Sequence, residues 1–242
     1  MCGRRKMERE HPELCDWGDM DFDMVRAIAF QVPRGTVVQF HNNGEPLCYP
    51  DLGRALKLFE ERTIRCFNTN GKLLFKKADE IIGNLETLTI SVIQDDPEGD
   101  EQREIVSEFL RIKGDRPPNM VYRLLGTVDD EPWRGLPGIV VKRILHSPDG
   151  SRNYEKKTTI PEVGFCTELI THLAIDRRGD ISLCVRFDPK GELKIGHIGQ
   201  ISIAQAWAAP KRRKYLEYHI AGRRKELPGC RECEYWGIPR WE

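Results

Sequence analysis

The sequence predicts an α/β protein, in which an open sheet or partial barrel is followed by a small cysteine-rich region. Over residues 36–145, short apolar runs alternate with amphipathic stretches, a spacing that favours parallel strands joined by right-handed crossovers. After residue 145 this alternation gives way to turns, short strands and cysteines. A chain of 242 residues is long enough for one large domain and one small one.

The elements of the first region can be predicted in chain order. Asp21 is a candidate N-cap for a helix that ends near residue 32. Apolar runs predict strands at 36–40, 64–67, 85–92, 121–125 and 139–145. Amphipathic patterns predict helices at 51–62 and 73–82, and a further helix after the polar span 94–102. The turn at 68–71 separates the second strand from its helix.

A polar segment at residues 147–159, which begins with Ser-Pro-Asp-Gly, predicts a linker. We therefore expect one domain at 1–146 and a second at 158–242. In the second, two short strands at 173–176 and 180–184 flank a hairpin signal, and Ser202 can cap a helix. The basic stretch at 211–224 is interpreted as a solvated helix face.

Charge and hydropathy exclude some partners. The chain has 38 basic and 38 acidic residues, so no global field attracts it to nucleic acid or to an anionic membrane. No apolar run approaches the roughly 20 residues that a membrane helix needs, and the charged N-terminus is not followed by an apolar region. We expect a cytoplasmic protein with neither membrane nor nucleic acid as a partner.

Eight cysteines are unusual in a reducing compartment, where such residues more often bind metal or perform redox chemistry. Cys230 and Cys233 have the C-x2-C spacing that lets two thiolates face one metal centre. Cys166 and Cys184, at either end of the predicted hairpin, can supply two more. Four thiolates suit tetrahedral zinc or an iron–sulfur cluster, and the spacing does not separate these two readings from a third, in which no metal binds.

Glu45 lies on the loop between the first predicted strand and its helix. Ligands bind at this edge of open α/β sheets, which makes the carboxylate a candidate binding group. The alternative is an acid on a solvated loop.

Taken together, these motifs resemble the radical SAM enzymes that carry a SPASM auxiliary-cluster domain. Residues 40–47 resemble the family's GxGEP loop, with Asn42 in place of the first glycine, and residues 67–71 resemble its TNG turn. Ser91 lies on a strand like the one whose serine reaches the ribose. The SPASM resemblance is carried by Cys166, Gly179, Cys184, Gly196-His197-Ile198-Gly199, Ser202-Ile203, Trp207, Cys230 and Cys233.

This resemblance implies a partial (β/α)6 TIM-like barrel followed by a SPASM-like domain. The implied cofactors are S-adenosylmethionine (SAM), a catalytic [4Fe-4S] cluster and one auxiliary [4Fe-4S] cluster. The implied activity is formation of a 5′-deoxyadenosyl radical that abstracts hydrogen from a substrate. Glu45 is expected to bind the SAM amino group, and the implied SAM-binding residues are Asn43, Gly44, Glu45, Asn70 and Ser91. The implied auxiliary-cluster ligands are Cys166, Cys184, Cys230 and Cys233.

The resemblance also implies partners. Its members often act on peptides or enzyme side chains, although no residue here identifies a peptide groove, and they need an electron donor such as a ferredoxin or flavodoxin.

The sequence departs from the family at the catalytic cluster. The family binds that cluster with a CxxxCxxC loop, and only Cys2 resembles a cysteine of this loop, the last one. Cys2 is therefore the expected catalytic-cluster ligand, and we expect the chain as given not to cleave SAM without upstream residues. The alternative is a non-catalytic binding module stabilised by zinc or an iron–sulfur cluster, a degenerate relative of the family.

Overall fold

The computed structural model describes residues 8, 12–42, 44–143, 166–184, 188, 191–231 and 233. Those within Val32–Leu145 form one compact unit, the sheet unit, and those within Cys2–Gln31 and His146–Glu242 form a second, the cysteine unit. The predicted linker at 147–159 lies outside the described residues. The boundaries 1–146 and 158–242 stay predictions.

The helices and strands follow one another along the chain, with the labels used below. The helices are α1 (Phe22–Gln31), α2 (Leu52–Leu58), α3 (Leu74–Ile81), α4 (Gly99–Lys113), α5 (Glu131–Arg134), α6 (Thr167–Thr171), α7 (Ile203–Trp207) and α8 (Pro210–Ile220). The strands are β1 (Val37–Gln39), β2 (Ile64–Thr69), β3 (Thr87–Ile93), β4 (Asn119–Leu125), β5 (Ile139–Arg143), β6 (Ala174–Ile175), β7 (Asp180–Ser182) and β8 (Lys194–His197).

The sheet unit is a parallel sheet in the order β1-β2-β3-β4-β5, so the predicted α/β class and parallel pairing are confirmed. Strand β2 continues to Thr69, two residues beyond the predicted end, because Asn68 and Thr69 pair with Thr89 and Ile90 of β3. The core lies between one face of the sheet and the helices. Its largest fully buried side chains include Leu56, Phe67, Leu74, Ile81, Leu88, Ile90, Phe109, Tyr122 and Leu124.

The cysteine unit is built on a three-stranded antiparallel sheet in the order β6-β7-β8. The hairpin of β6 and β7 was predicted from sequence, whereas the third strand was not. Ser202 caps α7 as predicted, in a capping box with Gln205.

Helix α1 packs within the cysteine unit, although the sequence analysis placed it with the first domain. Its Met24 and Ile28 contact a small core of Ile181, Ile198 and Ala206, and Gln31 Oε1 accepts a hydrogen bond from Ile203 N at 3.0 Å. These contacts use residues far apart in the chain, which explains why α1's own periodicity gave no sign of its partner.

The interpretation of residues 211–224 as a solvated face is wrong for three basic side chains. Arg212 and Arg224 are each 7% exposed, and His219 is 1% exposed. The two guanidinium groups donate to backbone carbonyls, which offsets part of the cost of removing a charge from water. Among the described residues, no helix has the length and apolar character needed to cross a membrane.

A charged pair joins β2 to the start of β3 in the sheet unit. The Arg65 side chain is 5% exposed and pairs with Glu86 through Nη2–Oε1 at 2.6 Å and Nε–Oε2 at 3.1 Å. Arg65 N also donates to Glu86 Oε2 at 2.5 Å. Burial raises the pKa of Glu86, but the hydrogen bonds and charge of Arg65 outweigh it and hold that pKa below its ordinary value.

We expect Glu86→Gln to lower the free energy of unfolding by about 1.5–3 kcal/mol, because it removes the carboxylate that accepts from Arg65 Nη2 and Nε and leaves the buried guanidinium only the more distant carboxylate of Glu60, whose Oε1 lies 3.8 Å from Arg65 Nη1. Glu86 itself is 38% exposed, so the loss stays below that of a fully buried pair. A lowered carboxyl pKa contributes stability above the unfolded-state value. The difference between wild type and variant should therefore shrink as pH falls through the folded pKa of Glu86.

Urea unfolding followed by circular dichroism between pH 7 and pH 3 measures both effects. Glu108→Gln is the control, since Glu108 forms a solvent-exposed pair with Arg111 and its loss should change stability much less than the loss of Glu86. Equal losses in the two variants would contradict the assignment.

Candidate functional site

Two predicted binding motifs meet at the carboxyl edge of the parallel sheet. The loop that carries Glu45 follows β1, and the turn of Asn70 and Gly71 follows β2. Because β1 and β2 pair in parallel, the segments that leave their carboxyl ends emerge on the same side.

The Glu45 carboxylate links these two segments. Its Oε1 accepts hydrogen bonds from Thr69 Oγ1 at 2.6 Å and from Leu47 N at 3.1 Å, and its Oε2 accepts one from Asn70 N at 3.0 Å. Glu45 is also the N-cap of a short 3-10 helix, Pro46–Cys48. Glu45 is thus more than a solvated loop acid. Among the described residues Oε2 accepts from Asn70 alone, so one of its lone pairs faces no described donor.

The turn after β2 is fixed by its own side chains. Thr69 Oγ1 accepts from Gly71 N, and Asn70 Oδ1 accepts from Lys72 N, each at 2.9 Å. Gly71 has a φ of +76°, and a Cβ there would lie 3.4 Å from Ile90 Cγ2. The predicted TNG turn therefore needs its glycine for its backbone conformation, whereas a Cβ would make only ordinary contacts.

Gln102 on α4 supports the site through hydrogen bonds to the backbone and was missed by the sequence analysis. Its side chain is fully buried, and its Nε2 donates to Asn70 O at 2.6 Å and to Ser91 O at 3.0 Å. It thereby connects the ends of β2 and β3. The available signal was a polar residue on the apolar face of an amphipathic helix, which the sequence analysis assigned to the polar span before α4.

The face of the sheet opposite the core is polar near this edge. His41 Nδ1 accepts from Asn68 N at 3.2 Å. Burial, and secondly the charge of Arg123, lower the pKa of His41 to about 4, so the imidazole is neutral at pH 7 and able to accept this bond. Arg123 of β4 lies beside Ser91 of β3 in register. None of this pairing was predicted.

The other predicted SAM-binding residues differ in how they are placed. Gly44 is exposed, and a Cβ added there would meet nothing within 4 Å. Ser91 is half-buried and close to the end of β3. Asn43 and Cys2 lie outside the described residues.

The four cysteines of the second predicted site occupy one region of the cysteine unit. Cys166 precedes α6, Cys184 follows the hairpin, and Cys230 and Cys233 share a turn in which Cys233 N donates to Cys230 O at 3.2 Å. Cys166, Cys184 and Cys230 pack on one small hydrophobic core. This core consists of Leu169, Leu183, Leu193, Tyr215 and Leu227.

The four cysteines also interact electrostatically, and these interactions shift the pKa of Cys230 and Cys166. Burial raises the pKa of Cys230 to about 12, and the other three cysteines add to this shift, whereas Arg224 opposes it. Burial, with a smaller contribution from Cys233, raises the pKa of Cys166. Four thiolates in this neighbourhood repel one another, and a metal cation would offset that repulsion. The donor set thus fits an iron–sulfur cluster or zinc, although in the described residues no three Cys, His, Asp or Glu side chains lie in a ready coordination shell.

Two basic residues contact the backbone of these cysteines. Arg224 Nη1 donates to Cys230 O at 2.8 Å and to Cys233 O at 3.3 Å. His219 Nδ1 accepts from Cys166 N at 3.3 Å. Neither contact was predicted.

We expect Thr69→Val to weaken the attachment of Glu45 to the turn, which then depends on Asn70 N. The substitution keeps the shape of the side chain but removes the donor to Glu45 and the acceptor for Gly71 N, a loss of about 1.5–3 kcal/mol in local stability. Hydrogen–deuterium exchange over residues 69–74 should accelerate accordingly. Thr63→Val is the control, because it removes one hydroxyl bond to Phe59 O outside the site. Unchanged exchange at residues 69–74 in Thr69→Val would contradict the role of this hydroxyl.

Comparisons with known proteins bear on both regions. Residues 166–234 match the family model SPASM, described as an iron-sulfur cluster-binding domain. BtrN in complex with AdoMet and 2-DOIA has a similar structure, with a TM-score of 0.56 and 18% sequence identity over 90% of this chain and 81% of that chain. SeMet BtrN in an open conformation gives a TM-score of 0.52 and 16% identity over 89% and 80%. No curated protein matches the chain.

At these identities the similarity to BtrN concerns the fold. Residues 166–234 are therefore similar to the SPASM iron–sulfur cluster-binding domain, and the chain shares the fold of BtrN over most of its length, in agreement with the resemblance to SPASM-containing radical SAM proteins.

Proposed function

We propose that this protein is a radical SAM enzyme that binds SAM at the carboxyl edge of the sheet unit and one auxiliary [4Fe-4S] cluster in the cysteine unit. The observation that carries the proposal is the Glu45 carboxylate, held by Thr69 and Asn70 at the edge where α/β sheets bind ligands. The complex of BtrN with AdoMet, in a protein of the same fold, supports the choice of ligand.

The chain's own residues take distinct roles in binding. The lone pair on Glu45 Oε2 accepts from the SAM ammonium, a charge-assisted hydrogen bond. The absence of a side chain at Gly44 leaves room for the ligand beside the loop. Asn70 and Ser91, whose carbonyls are joined through Gln102, contact the remainder of SAM together with Asn43.

The cluster sites are assigned by donor chemistry. Cys166, Cys184, Cys230 and Cys233 hold the auxiliary cluster, and Cys2 belongs to the catalytic one. When bound and reduced, the catalytic cluster supplies the electron that converts SAM into methionine and a 5′-deoxyadenosyl radical. The protein's task is then to orient SAM and to exclude water from the radical.

The proposal includes partners. An electron donor such as a ferredoxin or flavodoxin supplies the reducing electron, and a peptide or protein side chain is the proposed substrate, in line with the resemblance. Because BtrN has been solved in complex with 2-DOIA, a molecule of that kind is the competing choice. Mass spectrometry of peptide and small-molecule fractions after anaerobic turnover, by the protein extended upstream to supply the other cysteines of the CxxxCxxC loop, separates these two substrate classes.

We expect Glu45→Gln to weaken SAM binding by about 1.5–3 kcal/mol, because the amide keeps the shape of the side chain but loses the charge that pairs with the ammonium. Anaerobic isothermal titration calorimetry with SAM measures the change. Glu80→Gln is the matched control, since Glu80 also accepts a backbone hydrogen bond, from Gly53 N at 2.7 Å, but is not one of the proposed SAM-binding residues. Equal affinity in wild type and Glu45→Gln would return Glu45 to a purely structural role.

We expect Cys184→Ala to abolish the absorbance of the auxiliary cluster and to destabilise the cysteine unit, because a four-thiolate site loses one ligand. Iron and sulfide analysis after anaerobic reconstitution, with visible absorbance, measures the loss. Cys48→Ala is the control, since Cys48 is an exposed thiol of the sheet unit. Stoichiometric zinc with no iron in the wild-type protein would favour the non-catalytic binding module.

A further inference from the structure

Arg224 is a buried cation in contact with two of the four proposed cluster ligands. We infer that Arg224 is a positioning residue that holds the turn of Cys230 and Cys233 for cluster binding, and that its charge raises the reduction potential of the bound auxiliary cluster. This inference rests on the proposed function.

The positioning role follows from the hydrogen bonds. One guanidinium nitrogen, Nη1, donates to the carbonyls of both Cys230 and Cys233, at 2.8 and 3.3 Å. Arg224 itself begins a 3-10 turn, Arg224–Glu226, and the Cys230 and Arg231 amides both donate to Leu227 O just after it. The chain between Arg224 and the two cysteines is therefore a short series of hydrogen-bonded turns. A side chain that fixes the carbonyls of both ligands limits how far the two thiolates can separate.

The electrostatic role follows from burial. Arg224 is only 7% exposed, and its guanidinium carries a positive charge. Its charge acts on the cysteines through a medium with less screening than water. One-electron reduction by a donor adds a negative charge to a cluster that already bears four thiolates. A nearby fixed cation stabilises the reduced form more than the oxidised form, and so raises the potential.

Arg212 shows what a buried arginine does in this unit when it contacts no ligand residue. It is equally buried at 7%, donates to Leu169 O and Ile170 O at 3.2 and 3.0 Å, and stacks on Trp207 at 3.7 Å. These contacts join α6, α7 and α8 through carbonyls that belong to no cysteine. Arg224 makes the same kind of bond, but to the backbone of two proposed ligands. A substitution of Arg212 therefore measures the stability lost when a buried arginine is removed. Comparison with the same substitution at Arg224 then isolates the effect specific to Arg224.

The test compares wild type with Arg224→Gln, Arg224→Lys and Arg212→Gln, each reconstituted anaerobically with iron and sulfide. Iron content reports positioning, and a dithionite titration followed by electron paramagnetic resonance reports the potential of the auxiliary cluster. We expect Arg224→Gln to shift the one-electron reduction equilibrium at least tenfold towards the oxidised form, which corresponds to about 59 mV. Arg224→Lys, which keeps the charge, should stay near wild type. Arg212→Gln should lower the unfolding temperature and leave the potential unchanged.

Each outcome separates the inference from the proposal beneath it. If Arg224→Gln fails to retain iron while Arg224→Lys and Arg212→Gln retain it, the positioning role is supported, since the control carries the same loss of a buried cation. If Arg224→Gln has wild-type iron content and potential, or if Arg212→Gln shifts the potential equally, the inference is overturned and the auxiliary cluster stands. If the wild-type protein takes up no iron, the proposed cluster and this inference fall together.

Discussion

Parallel pairing of β1 to β5 in chain order brings every loop that follows a strand to one edge of the sheet. Glu45 after β1 therefore meets Thr69 and Asn70 at the end of β2, although 24 residues separate Glu45 from Thr69. The next loop joins the same edge, where Lys72 Nζ lies 3.2 Å from Asp96 Oδ1 beyond β3. Burial alone would lower the pKa of Lys72. Its hydrogen bonds to Glu98 and Asp96 outweigh burial and raise this pKa above its ordinary value, so the ammonium remains charged and the link persists at neutral pH. The binding edge is thus a product of topology, to which each loop contributes only one or two polar groups.

Both units contain buried arginines. The groups that contact each guanidinium indicate what its charge does in the protein. Arg65 faces a carboxylate, so its charge is neutralised within the sheet unit and serves strand pairing. Arg212 faces neutral carbonyls and an aromatic ring, partners that distribute the charge without cancelling it. Arg224 also faces carbonyls, but these belong to cysteines whose thiolates would carry the opposite charge when they bind metal. Arg224 thus differs from the other two in that its carbonyl partners belong to proposed cluster ligands.

Local sequence pattern predicted the strands of the sheet and the place of Glu45, because apolar runs and turn residues act over a few positions. It did not predict Gln102, whose partners at Asn70 and Ser91 come from two other strands. It also misread residues 211–224 as a solvated face, since a basic helix pattern does not reveal that backbone carbonyls of α6 and of the C-x2-C turn are within reach. Strand β8 and the packing of α1 were missed or misplaced for the same reason. What the pattern lacks in each case is the identity of a distant partner.

Glu45 has a structural role and a proposed role in SAM binding, and the division of its hydrogen bonds makes the two compatible. Oε1 accepts two hydrogen bonds that fix the loop, from Leu47 N and Thr69 Oγ1. The described donor to Oε2 is Asn70 N. The bonds at Oε1 fix the rotamer of the carboxylate before any ligand arrives, so binding does not have to order the side chain. A carboxylate that served the turn alone would gain nothing from leaving half of Oε2 open at the edge of a parallel sheet. The same bonds that stabilise the loop would therefore preorganise the open lone pair for the ammonium group of the proposed ligand.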